Sequence, residues 1–332
     1  MEYRWLGRTG VKISRLVFGT MGFGGESDEA GSAVIYGRCR DLGINLFDCA
    51  DVYQAGRSEE ILGRLSRGHR DEVVLASKAY FPTGRDPNAR GASRYHLVRA
   101  VEGSLKRLKT DRLDLYYLHR FDEETALDES LRALDDLVKA GKILYLGASN
   151  FAAWQVMKAN GLADRSGRSP FVAVQPMYNL VKRQAEVEIL PMAQSEGLAV
   201  FSYSPLGGGL LSGKFKKGAG AGTTGSRLSQ NKMYQTRYAS PAYWEAAEAL
   251  SALAEKLGQH PVSLAVAWVM AHPGITAPIL GARSLEQLEP ALAALNVEMT
   301  PELYAQIGAL FPAPPPATDR NEETSNHNYG AR

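Results

Sequence analysis

The chain has 332 residues, 45% of them apolar and 22% charged, and its 38 basic residues against 36 acidic ones give a formal charge of +2. That supports one barrel-sized core, and so even a balance, without a long basic run, offers neither nucleic acid nor a membrane surface a partner. No stretch has the apolar length of a membrane span, the charged start Met1-Glu2-Tyr3-Arg4 argues against a signal peptide, and two cysteines, Cys39 and Cys49, make a disulfide framework or zinc site improbable, so a reducing cytoplasm is the expected setting.

Residues 3–6 and 11–14 flank Gly7-Arg8-Thr9-Gly10 and read as a small hairpin that covers one end of the core. An apolar strand, Leu16-Val17-Phe18, then runs to Gly19 and a glycine-rich loop, and residues 30–42 have a helical spacing that stops at Gly43. Short apolar runs recur from there, ending at Asp48, Lys78, His119, Ser149, Gln175, Tyr203 and Gly281. Amphipathic segments lie between them at 95–108, 131–140 and 185–195, and another follows the last run at 285–295. Most strand ends stand near the spacing of one strand–helix–strand unit, about 30 residues. Eight apolar strands alternating with helices predict an all-parallel sheet closed into a (β/α)8 TIM barrel, α/β in class. The barrel spans 1–311 as a single domain, and a proline-rich, irregular tail covers 312–332. A doubly wound open sheet is the alternative, but it would carry a phosphate-binding fingerprint after its first strand. The long interval before the eighth strand holds a glycine- and lysine-rich tract, read with its flanks (205–240) as a mobile flap over the barrel mouth after strand 7, and then helices at 243–257 and 263–271.

Two nucleotide-binding patterns fail on context. Gly220-Ala221-Gly222-Thr223-Thr224-Gly225 matches the dinucleotide fingerprint, yet no strand precedes it; in the stretch from Gly208 to Gly213-Lys214, Phe215 stands where a P-loop needs a hydroxyl for magnesium. The six histidines lack metal-ligand spacing, so no metal is expected.

Barrel active sites lie at the carboxyl ends of the strands, and there the polar residues make one proposal. Asp48 pairs with Lys78; Lys78 as an ammonium favours the Tyr53 phenolate and lowers its pKa; His119 hydrogen-bonds a substrate oxygen. A phenol so poised can protonate a developing alkoxide, the acid half of a carbonyl reduction, while the hydride must come from a cofactor. Schiff-base chemistry at Lys78 competes, although an adjacent Asp keeps the amine protonated.

These residues resemble the aldo-keto reductase superfamily, from the first hairpin to about Leu295. The matching motifs are Phe47-Asp48-Cys49-Ala50-Asp51-Val52-Tyr53, Ser77-Lys78, Leu118-His119-Arg120, Gly147-Ala148-Ser149-Asn150-Phe151, Val174-Gln175 and Tyr203-Ser204-Pro205-Leu206. The resemblance implies Asp48, Tyr53, Lys78 and His119 as a catalytic tetrad and NADPH, rather than NADH, as cofactor. It implies Ser149, Asn150 and Gln175 on the nicotinamide carboxamide, Tyr203 stacked on the ring, and Gly19, Thr20, Met21 and Asp48 near it. Ser204, Pro205, Leu206 and Gly208, with Lys214 and Arg227, would meet the pyrophosphate and ribose. Gly281, Arg283 and Gln287 would meet the adenosine end, with Arg283 on the 2′-phosphate. Pro290 and Ala291 depart from the pattern, because many relatives place a Glu-Asn pair there against the adenine and its ribose. The implied substrate is a small carbonyl compound, an aldehyde, ketone or sugar. The same family implies an alternative, a channel-associated nicotinamide-binding subunit with little turnover. Cys49 reads as a buried small hydrophobe, and Met21, Phe23, Tyr80 and Trp154 as an apolar substrate wall.

Overall fold

The computed structural model describes residues 1–215 and 227–320, with Arg227 described by its backbone alone. Strands β1 (Tyr3–Trp5) and β2 (Lys12–Ser14) pair antiparallel, Tyr3 opposite Ser14, in the expected hairpin. Its buried Leu6 and Ile13 plug one end of the barrel. Gly7, at φ +57°, approaches so closely that a Cβ there would lie 2.8 Å from the Val172 carbonyl oxygen, which only glycine tolerates.

Eight parallel strands follow: β3 (Val17–Gly19), β4 (Leu46–Asp48), β5 (Val74–Ala79), β6 (Leu113–Leu118), β7 (Ile143–Ser149), β8 (Phe171–Gln175), β9 (Ala199–Ser202) and β10 (Ala277–Leu280). They pair in chain order and β10 closes onto β3, the expected TIM barrel. Gly19, Asp48, Ser149 and Gln175 end their strands, Lys78 is one residue short of the end of β5, and His119, Tyr203 and Gly281 lie one residue beyond β6, β9 and β10. Inside the barrel, Tyr117 and Phe201 fill space left by Ala76, Ala173, Ala199 and Ala277. Gly147 makes room for this filling, since a Cβ on it would lie 2.5 Å from Tyr117 Cε1.

Helices α1 (Glu29–Asp41), α2 (Arg57–Ser66), α3 (Arg94–Leu108), α4 (Leu127–Lys139), α5 (Ala153–Arg165) and α6 (Ile189–Glu196) cover the outside. Helix α6 starts later than its apolar spacing suggests, because Pro191 has no N–H to bond back to residue 187 and fits only a first turn. After β9 come α7 (Arg227–Gln230), α8 (Lys232–Arg237), α9 (Pro241–Lys256) and α10 (Pro261–Ala271), then α11 (Leu285–Leu292) and α12 (Pro301–Gly308) after β10.

Where it is described, the stretch 205–240 packs side chains into the core. A 3-10 turn, Gly207–Ser212, buries Leu210 and Leu211, and α7 and α8 bury Leu228 and Tyr234, with Tyr238 just beyond. Residues 216–226, including the 220–225 glycine tract, lie outside the described residues, as do 321–332 of the tail; residues 312–320 carry no regular helix or strand. Among the described residues no helix is long and apolar enough to cross a membrane.

Candidate active site

Register places the charges. Asp48 pairs with Ala76 across β4 and β5, and Lys78, two residues further on, emerges on the same face as Ala76 beside the Asp48 carboxylate. Lys78 Nζ donates to Asp48 Oδ2 at 2.6 Å and to the Cys49 carbonyl at 2.6 Å, and reaches the Tyr53 hydroxyl at 3.5 Å. The lysine side chain is fully buried. Burial works to lower its pKa, but Asp48, Tyr53 and the hydrogen bond to Asp48 together outweigh burial and raise it above the ordinary lysine value. The amine is therefore charged at neutral pH, and the other carboxylate oxygen of Asp48 is satisfied by Gln175 Nε2 at 3.0 Å.

Tyr53 is presented by a strained loop. Gln54, Ala55 and Gly56 follow it in left-handed conformations, at φ 49°, 54° and 91°, and Gln54 Nε2 ties the turn to the Met21 carbonyl at 3.0 Å. Non-glycine residues hold such angles at a cost of about 1–2 kcal/mol each. Asn150 and Ser204, two more of the six described non-glycine residues with positive φ, also stand at this mouth, so strain concentrates here. The expected lowering of the Tyr53 pKa does not occur. Burial pushes the phenol up to about 12 against the pull of Lys78. Lys78 does not offset burial, because the ammonium makes its two short bonds elsewhere and stands at 3.5 Å from the phenol.

His119 closes the group. Its ring meets the Tyr53 ring edge-on at 6.0 Å and the Phe81 ring edge-on at 4.9 Å. Burial, and then Lys78, hold its pKa well below the ordinary histidine range, so the ring is neutral near pH 7. Nδ1 is buried and finds no hydrogen-bond partner among the described residues. A buried bare N–H is rarer than a bare lone pair, which puts the single ring proton on Nε2.

One hydrogen-bonded chain links the other strand ends to this centre. Tyr203 Oη donates to Asn150 Oδ1 at 2.7 Å; Asn150 Nδ2 donates to the His119 carbonyl at 2.9 Å and to Ser149 Oγ at 3.2 Å; Ser149 Oγ donates to the Gln175 carbonyl at 3.0 Å. Through the Gln175 amide the chain reaches Asp48, so hydrogen bonds join the ends of β4, β6, β7, β8 and β9. Thr20 is buried and bonded to the Asp48 carbonyl at 3.2 Å, while Gly19 is packed so that a Cβ would lie 2.8 Å from Ile279 Cγ2. Beyond Tyr203, Ser204 at φ 56° leads through Pro205 and Leu206 into Gly207, Gly208 and Gly209, all at positive φ. A Cβ at Gly209 would lie 3.1 Å from Lys214 Nζ. Gly281 and Arg283 follow β10, where Ser284 caps α11 and the Arg283 amide points to Gln287 Oε1 at 3.5 Å. Ala291 is buried, and Ser263 Oγ donates to the backbone carbonyl of Pro290 at 2.6 Å. The side chain of Arg227 lies outside the described residues.

Some residues stand elsewhere than expected. Phe23 is buried against Phe18 at a centroid distance of 5.6 Å and lines no wall. Phe81, overlooked in the sequence because nothing there marks it, takes the place beside His119. Trp154 is exposed beside Phe121, whose ring lies at 6.0 Å. Cys49 is buried as expected; burial pushes its thiol up to about 12, and Sγ contacts Ser58 Oγ at 3.1 Å. Among the described residues no group of three or more His, Cys, Asp or Glu is placed to hold a metal.

A family model described as the aldo/keto reductase family matches residues 15–311. An "uncharacterized oxidoreductase YrpG" of Bacillus subtilis (strain 168) is 40% identical over 326 residues, 95% of this chain and 97% of that protein. A "probable voltage-gated potassium channel subunit beta" of Oryza sativa subsp. japonica is 35% identical over 96% of this chain and 99% of its own length. The versiconal hemiacetal acetate reductase of Aspergillus parasiticus is 32% identical over 91% of this chain and 94% of its own.

Proposed function

The chain belongs to the aldo/keto reductase family and is an oxidoreductase, and from that premise we propose that it reduces aldehydes or ketones, sugars among them, with NADPH, Tyr53 giving the proton. The observation that carries this reading is the buried Lys78 ammonium, locked 2.6 Å from Asp48 and standing 3.5 Å from the Tyr53 hydroxyl.

Each residue of the tetrad then has one task. Tyr53, with its pKa raised, stays protonated at neutral pH and gives its proton to the more basic oxygen of a developing alkoxide. Lys78 stabilises the phenolate left behind, and Asp48 keeps Lys78 charged without itself contacting the phenol. His119, neutral and protonated on Nε2, donates to the substrate oxygen and adds no charge. When bound, NADPH supplies the hydride, which no side chain can.

The residues fit such a cofactor. Ser149, Asn150 and Gln175 bring a hydroxyl and two amides to one wall for the carboxamide, and Tyr203 is held by its hydroxyl so that its ring can serve as a platform. Three successive glycines in left-handed turns keep the backbone beside Lys214 free of side chains, which suits the close approach of a diphosphate, while the Gly207 and Gly209 amides bond to the Ser204 and Leu206 carbonyls within the turn. Ser204, Pro205 and Leu206 would extend that site, Arg227 is assigned to it by the family resemblance alone, and Arg283 at the start of α11 would take the 2′-phosphate, the basis for preferring NADPH to NADH.

A Schiff-base reaction at Lys78 is disfavoured, since its amine is held charged. Relatives named as potassium-channel beta subunits support a second reading, a nicotinamide-binding subunit with little turnover. Fluorescence titration with NADPH and NADH, followed by absorbance of the reduced nicotinamide with a panel of aldehydes and ketones, separates them. Tighter binding of NADPH with carbonyl-dependent oxidation is expected. Binding without turnover favours the second reading, and no binding of either cofactor refutes both.

A further inference from the structure

The loop that joins Asp48 to Tyr53 carries another carboxylate, which the chemistry above leaves idle. Asp51 is only 3% exposed, and neither carboxyl oxygen makes a well-formed hydrogen bond among the described residues, the Val52 backbone amide being turned toward the group without good geometry. Its backbone amide donates to the Lys78 carbonyl at 3.1 Å, which fixes it to the strand that bears the ammonium. The groups that face it are Glu59 of α2, Arg107 of α3, Lys78 of β5 and Tyr116 of β6. None neutralises it. Arg107 Nε is engaged with Glu59 Oε2 at 2.6 Å, Ser77 Oγ with Glu59 Oε1 at 2.5 Å, and Lys78 with Asp48. Glu59, fully buried, adds a like charge, and the buried Tyr116 hydroxyl also finds no partner among the described residues.

An ionised carboxylate buried without well-formed hydrogen bonds, near another anion, is about the costliest state a core can hold, and taking up a proton removes the cost. We propose that Asp51 holds a proton on the acid side of neutrality and there acts as a positioning residue for the tetrad, so that Lys78 faces one anion, Asp48, and keeps its field on Tyr53. The catalytic half of this inference rests on the reductase reading, and the proton rests on burial. Burial, then Glu59, raises the Asp51 pKa to about 7, against the opposing pull of Arg107, the Val52 amide and Lys78. Above that pH the new anion behind Lys78 makes Tyr53 hold its proton more tightly and slows reduction.

Infrared titration of the cofactor-free protein tests the proton directly. The wild type is expected to show the carbonyl stretch of a protonated carboxyl group lost with a midpoint near pH 7, and Asp51→Asn to lack it. A band that persists in the variant, or its absence from the wild type, overturns the proposal. Should Asp51→Asn fail to fold, Glu59→Gln removes the neighbouring anion and is expected to move the midpoint down; an unmoved midpoint overturns the proposal as well. The positioning role is read from the pH profile of kcat/KM. A fall of about threefold to tenfold through the same midpoint is expected in the wild type and not in Asp51→Asn. A step kept in Asp51→Asn refutes positioning even if the infrared result stands. No carbonyl reduction by the wild type at any pH removes both the reductase reading and the positioning role, while the infrared titration still decides the proton.

Discussion

Consider replacing the two buried charges of the centre singly and together. Lys78→Met takes the ammonium from a fully buried site and leaves the Asp48 carboxylate with the Gln175 amide, at 3.0 Å, as its remaining side-chain partner. Asp48→Asn leaves the ammonium with the Cys49 carbonyl at 2.6 Å and a weak contact to Tyr53. Stranding one buried charge costs about 3–5 kcal/mol. The double variant strands none, so it is expected to lose no more than either single variant. That leaves a coupling energy of at least about 3 kcal/mol. Urea titration of the cofactor-free proteins, followed by tryptophan fluorescence and far-ultraviolet circular dichroism, measures all three. Single losses below about 1 kcal/mol, or losses that add to within about 0.5 kcal/mol in the double variant, would refute the claim that these charges are held by each other.

Two further outcomes follow from particular positions. Gly208→Ala places a Cβ 2.6 Å from Tyr234 Cδ1 at φ +67°, so isothermal titration is expected to show NADPH affinity falling about tenfold, about 1.4 kcal/mol, whereas Gly10→Ala, also at positive φ but with open space around it, is expected to leave affinity alone. For Asp51 the folded state holds a proton between the ordinary carboxyl pKa of 3.8 and about 7, so its contribution to stability is lost as pH rises through that window. Asp51→Asn abolishes this loss, which at most amounts to about 4 kcal/mol. Urea midpoints are expected to favour the variant more at about pH 8 than at about pH 4; an equal difference at both would contradict the buried proton.

Much of this was legible because each strand is a short apolar run stopped by a polar residue. Asp48, Lys78 and His119 stand where such runs end, and a parallel register then has little choice but to gather them. Helix α5 was not legible, since Ala152 in its N-cap position and Gly161 inside give no start signal and weaken the pattern; the cap is made instead by Gln155 bonding back to the Ala152 amide at 2.8 Å. The direction of the Tyr53 shift was misjudged because a neighbouring cation can be counted from sequence, whereas burial is a sum over several loops. The same limit hid Phe81 beside His119 and the buried oxygens of Asp51. Ala291 shows the reverse, a departure from the family pattern visible in sequence whose burial needed the structure to be seen.

The most direct measurement of the central claim is steady-state turnover and NADPH binding of Tyr53→Phe beside the wild type. Among the described residues the Tyr53 hydroxyl makes one weak hydrogen bond, to Lys78 at 3.5 Å, and phenylalanine keeps the ring contacts, so the fold and the cofactor affinity are expected to survive. Carbonyl-dependent NADPH oxidation is expected to fall by about a thousandfold, the scale of a lost general acid. Turnover retained to within a few-fold, with binding intact, would contradict the assignment of the proton to Tyr53.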